Sequence, residues 1–124
     1  MLISELKLAK ELIRKPSITP EDAGAINLLA KNLRSLGFNC KLVNFKNIKN
    51  LYEKLGKSSP NFCYAGHTDV VPPGNISDWS INPFKPVVKN NKLIGRGASD
   101  MKASIACFVA AVDAEDKVLC YKNW

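Results

Sequence analysis

Three polar residues in this chain are of types that could do chemistry together. They are His67, the only histidine among the 124 residues, Asp69 two positions later, and Asp100, 33 residues further along than His67. A neutral imidazole and a carboxylate are both common zinc ligands. A ligating imidazole also needs its second ring nitrogen held by a carboxylate or a carbonyl. Asp69 points to the same side as His67 if the chain between them is extended, so it is a candidate for that role. A carboxylate at Asp100 could bind one metal or bridge two, since paired metals in hydrolytic sites lie roughly 3.5–4 Å apart.

Each residue also has a plainer reading. A lone histidine at a strand end can be purely structural. An aspartate before a helix is commonly an N-cap. Gly95 and Gly97, just upstream of Asp100, can be ordinary turn residues. His-x-Asp by spacing alone leaves these alternatives open.

The elements that must position these residues can be read from periodicity. Residues 4 to 15 form a helix, with Leu6, Ala9, Leu12 and Ile13 on one face, Ser4 as its cap and Pro16 ending it. A second helix starts at Thr19 as N-cap, with Pro20 at the first helical position and Glu21 and Asp22 complementing the helix dipole. Its buried face is Ala23, Ile26, Ala30 and Leu33, and Gly37 ends it in a left-handed conformation. Residues 38 to 45 and 51 to 55 read as strands. Residues 61 to 65 are short and mostly apolar, which suits a buried strand with His67 at its carboxyl end. Asn90-Asn91 between two apolar pairs predicts a hairpin. After Gly95-Arg96-Gly97 and Asp100, an apolar helix runs from Lys102 to about Val112. The fold class is therefore α/β.

Composition excludes several functions. Hydrophobic residues make up 46% and charged residues 23%, a globular rather than a disordered balance. No apolar run approaches the ~20 residues that span a bilayer, and Met1–Glu5 does not open a signal peptide, so a cytoplasmic protein is expected. Cys40, Cys63, Cys107 and Cys120 contain no CxxC pair, which favours free thiols over a thiolate zinc knuckle. The net charge of +7 is spread over single lysines, not clustered, so no nucleic-acid partner is expected. A small basic binding module remains the non-enzymatic alternative.

Three ordered segments add a family resemblance. Tyr64-Ala65-Gly66-His67-Thr68-Asp69-Val70-Val71-Pro72-Pro73-Gly74 resembles the first metal motif of the dimetal aminoacylase and carboxypeptidase-like amidohydrolases. Trp79 with Asn82-Pro83-Phe84 resembles the loop that follows it. Lys92-Leu93-Ile94-Gly95-Arg96-Gly97-Ala98-Ser99-Asp100-Met101-Lys102 resembles the second metal motif. The resemblance implies a zinc-peptidase-like catalytic domain, a mixed sheet flanked by helices, with residues 1–112 its N-terminal part and 113–124 a divergent or truncated tail. It implies that His67 binds one zinc, that Asp100 bridges two, with a cis peptide after it, and that Asp69 is the catalytic-site residue orienting His67. Cobalt can replace zinc. The implied reaction is hydrolysis of an N-acyl amino acid, with members that remove succinyl groups in lysine and cell-wall precursor synthesis favoured by Val70–Gly74 over deacetylases and dipeptidases. Family members are expected to be homodimers with no membrane association.

Two features depart from the family. Ala103 stands where a glycine is usual. The general-base glutamate pair, expected some thirty-odd residues beyond Asp100, would fall past Trp124, as would the later ligands and the dimerisation domain. Glu115-Asp116 follows the helix too closely to replace that pair. The chain alone is therefore expected to be inactive or nearly so, to expose an apolar sheet edge, or to be a non-catalytic remnant.

Overall fold

The structure is a computed structural model that describes residues 2–119, with side chains described through residue 115. The elements in order are α1 (Glu5–Ile13), α2 (Ala25–Ser35), β1 (Asn39–Leu42), β2 (Leu51–Lys54), a short 3-10 turn (Ile76–Asp78), β3 (Val87–Lys89), β4 (Lys92–Ile94) and α3 (Ala103–Leu119). The chain is thus α/β, as its periodicity predicts. α3 continues unbroken beyond Val112, and the part of the predicted tail after Leu119, Cys120 included, lies outside the described residues.

Helix α1 begins where Ser4 accepts a hydrogen bond from the Lys7 amide. It buries Leu8, Ala9, Leu12 and Ile13. Leu6, predicted on the same face, is instead 42% exposed. The opposing faces are Ala25, Leu29 and Leu33 of α2 and Ile105, Ala106 and Val109 of α3, which close one core with α1. At the far end of α3, Asp113 is 2% exposed and accepts from the Ile3 amide at 2.6 Å, tying the chain start to that helix.

The predicted cap of α2 is wrong. Thr19 and Pro20 precede the helix, which begins six residues beyond Thr19, and Ala23 lies outside it at φ 51°. Gly24 is the N-cap, in a left-handed conformation without a side-chain cap. Asp22 does the capping instead, accepting from the amides of Gly24 and Ile26, both at 3.0 Å. The end of α2 is as expected: Gly37 has φ 88°. Its amide and that of Phe38 reach back to the carbonyls of Arg34 and Leu33, a Schellman pair.

The strands form two antiparallel pairs, β1 with β2 and β3 with β4. Asn90 and Asn91 have φ of 51° and 59°, as a two-residue turn of type I′ requires. Residues 61 to 65 do not form the predicted strand, for want of a neighbour to hydrogen-bond with among the described residues. One isolated parallel bridge joins Ile18 to Val70. No described helix is long and apolar enough to cross a membrane. Cys40, Cys63 and Cys107 are free thiols.

Candidate metal centre

Two segments distant in sequence meet at one end of the helical core. The first, residues 66 to 70, runs beside α3. The Gly66 Cα hydrogens face Met101, Tyr64 and Ile105 so closely that a Cβ would come within 3.2–3.3 Å of each. The second is the turn from Gly95 to Lys102. A Cβ on Gly97 would stand 2.7 Å from Val70 Cγ1. That glycine therefore lets the turn carrying Asp100 close down on the segment carrying His67. A Cβ on Gly95 would likewise stand 2.9 Å from Ile13 Cγ2. The Arg96 amide donates to the Pro83 carbonyl at 2.7 Å. The Arg96 guanidinium lies over the Trp79 ring at 5.1 Å, and Trp79 Nε1 donates to the Pro73 carbonyl. The motif residues of the intervening loop thus brace both segments.

The result is direct contact between the predicted site residues. His67 Nε2 lies 3.0 Å from Asp100 Oδ1. His67 Nδ1 lies 3.0 Å from the Asp69 carbonyl oxygen and 3.3 Å from Asp69 Oδ1. The histidine is half exposed, and Asp100 is 85% exposed, so the pair opens to solvent. The Asp100–Met101 peptide is cis. Met101 Sδ accepts from the His67 backbone amide at 3.4 Å.

A carbonyl oxygen can only accept, so Nδ1 must carry a proton. Nε2 then faces the Asp100 carboxylate with a lone pair unless it is protonated as well. Two acceptors 3.0 Å apart repel unless a cation lies between them. The Asp69 carbonyl is the main reason the His67 pKa is raised; partial desolvation opposes it, and the Asp100 hydrogen bond and the charges of Asp69 and Asp100 add to it. A metal ion would meet the same demand as the second proton. Ligand atoms ~2.0–2.2 Å from a tetrahedral zinc lie about 3.3–3.5 Å apart, so the observed spacing needs only a small widening. The donors fit a metal in type and spacing but are short in number. No cluster of three or more His, Cys, Asp or Glu able to hold a metal occurs among the described residues.

Sequence reasoning missed three residues beneath the site. Ser17, fully buried, donates to the Thr68 carbonyl at 2.6 Å. Thr19 Oγ1 donates to Asp69 Oδ2 at 2.5 Å. Lys102 has no exposed surface, and its Nζ donates to the Lys15 carbonyl at 2.7 Å. Burial pushes the Lys102 pKa down to about 8, against a raising contribution from Asp69. None of these carries a local signal, because each acts on a partner at least fifty residues away. A cavity of about 340 Å³ adjoins His67 and Asp69, but it runs between α2, β2 and α3 over mainly apolar side chains, and Asp100 is not among its walls.

Residues 63–119, the stretch that contains both halves of the centre, match the profile of Peptidase family M20/M25/M40. At the level of individual relatives, the chain is similar to curated proteins named succinyl-diaminopimelate desuccinylase. It is 59% identical over 115 residues to that of Pelagibacter ubique (strain HTCC1062), a match covering 89% of the chain and 30% of the relative. The protein of Wolbachia pipientis wMel is 49% identical over 113 residues, covering 90% of the chain and 28% of the relative. That of Ehrlichia canis (strain Jake) is 48% identical over 120 residues, covering 94% and 32%. The chain thus spans about 30% of the length of the curated relatives it matches, and the kinship expected from the three motifs is borne out.

Proposed function

We propose that this chain contributes one wall of a two-zinc centre in an enzyme that hydrolyses the N-succinyl amide of N-succinyl-diaminopimelate, releasing succinate and diaminopimelate. The observation that carries this reading is the 3.0 Å approach of His67 Nε2 to Asp100 Oδ1, in a chain so similar to the desuccinylases. His67 would bind one ion through Nε2, and Asp100 would bridge both. Bound zinc, or cobalt in its place, supplies Lewis acidity and a water acidic enough to be a nucleophile near neutral pH.

The chain's own residues do the positioning. Asp69 holds the Nδ1 proton, which keeps the Nε2 lone pair directed at the metal side. The Met101 sulfur and the close Gly66 backbone fix the height of His67 against α3. Two ligand side chains are fewer than the three that catalytic zinc normally takes, and among the described residues no third acidic, histidine or cysteine side chain completes a metal cluster beside them. We therefore propose that these 124 residues alone do not turn over substrate. The working enzyme we envisage is a cytoplasmic homodimer acting on a small N-acyl amino acid, without nucleic acid or membrane.

Equilibrium dialysis against zinc tests this reading. The wild-type chain should retain zinc, and His67→Ala and Asp100→Asn should each lose most of it. Equal zinc in wild type and His67→Ala would sink the metal reading. Substantial release of succinate from N-succinyl-diaminopimelate by the chain alone would overturn the inactivity.

A further inference from the structure

Behind Asp69 lies a segment to which the family motifs assign no role. After α1, residues 15 to 19 run alongside residues 68 to 70 and bond to each of them. Ser17 Oγ donates to the Thr68 carbonyl at 2.6 Å. The Val70 amide donates to the Ser17 carbonyl at 2.8 Å, and the Thr19 amide donates to the Val70 carbonyl at 3.1 Å. Lys102 fastens the same strip from the other side through the Lys15 carbonyl. These bonds fix the backbone. They leave the Asp69 carboxylate, whose side chain is 45% exposed, free to turn toward water.

One contact removes that freedom. Thr19 Oγ1 donates to Asp69 Oδ2 at 2.5 Å, which leaves Oδ1 aimed at His67 Nδ1, 3.3 Å away. A carboxylate has two oxygens on a rigid plane, so pinning one sets the direction of the other. We propose that Thr19 is a positioning residue for the metal centre: it pins the Asp69 carboxylate so that Oδ1 joins the Asp69 carbonyl as a second acceptor for the His67 Nδ1 proton, which strengthens the hold on that tautomer and keeps the Nε2 lone pair toward the metal. The hydroxyl is the working group, so serine can replace threonine but valine and alanine cannot. The proposal rests on the metal reading above for its consequence, though not for its geometry.

Two readouts on the whole chain test it. His67 is the only histidine, so its ring ¹⁵N signals need no assignment among alternatives. At alkaline pH without metal, the wild type and Thr19→Ser should show a larger share of the Nδ1–H tautomer than Thr19→Val and Thr19→Ala. Zinc affinity, read by competition with a chromophoric chelator, should fall about tenfold in Thr19→Val and recover in Thr19→Ser, as for loss of a group that orients a metal-bound histidine. Thermal melting checks that the folds are equal; should valine unfold the chain, alanine serves in its place. An unchanged tautomer share in Thr19→Val and Thr19→Ala, or a serine variant as weak as valine, would overturn the role of Thr19. A wild type that binds no zinc would overturn the metal reading instead, while the tautomer comparison would still decide this one.

Discussion

Val70 and Phe62 lie eight residues apart, yet they end up in opposite circumstances. Val70 is 3% exposed, hydrogen-bonded to residues 17 and 19, and pressed against Gly97. Phe62 is 85% exposed, on a segment that pairs with no strand among the described residues. The same contrast separates the two ends of the molecule. Around the metal centre, α1, α3 and the two motif segments bury each other and join their backbones. Around the β1–β2 pair, Leu42, Phe45, Tyr52 and Leu55 are each 46–69% exposed. Apolar side chains are present at both ends. What differs is whether another element of the same chain lies opposite, since burial and backbone pairing both need a partner. The candidate site thus stands on the part of the chain that completes its own packing.

The comparison can be broken by mutation. Leu12→Ala removes a fully buried side chain at the centre of the helical core and should cost about 2–5 kcal/mol in chemical denaturation. A cost below about 0.5 kcal/mol would mean that this end is no better packed than the other. A pH series probes Lys102. Its pKa in the fold lies at about 8, below the ordinary 10.5, so between these values the unfolded chain holds the extra proton. Stability should therefore rise with pH through that window, be complete above it, and be lost as pH falls through about 8. Lys102→Met should flatten this slope relative to wild type; parallel curves would show that the amine is not desolvated.

Gly97→Ala places a methyl group on Val70 in a backbone conformation with φ 82°. It should destabilise by about 1–3 kcal/mol, and dialysis should show weaker zinc retention, because the turn bearing Asp100 is pushed off His67. Unaltered zinc retention would separate the closure of this turn from the site. The smallest effect is expected at the open end. Phe62→Ser should change stability by less than about 0.5 kcal/mol and should reduce self-association in light scattering. A large loss of stability there would show that the contrast between the two ends is not real.

Several features were legible in the sequence because their chemistry is local. Ser4 caps α1 from three residues away. Gly37 takes the left-handed conformation that ends α2, and Asn90-Asn91 takes the two positive φ values of its hairpin turn. The start of α2 was misread for a reason of the same range. Thr19-Pro20 looks like a cap and first turn, but Thr19 is engaged with Asp69 and Val70, fifty residues on, and Asp22 supplies the cap in its place. Residues 61 to 65 read as a strand from their apolar character, but a strand is completed by its neighbour.

For the candidate site the division is the same. Residue types and order along the chain were enough to single out His67, Asp69 and Asp100 and to suggest a metal, because ligand chemistry belongs to the side chain itself. Only the tertiary structure decided that His67 and Asp100 meet at 3.0 Å, that Thr19 stands behind Asp69, and that Lys102 is wholly buried beneath them. Those facts depend on how α1, α3 and two glycine turns pack. Packing is set by every surface that closes on every other, and no short stretch of sequence contains it.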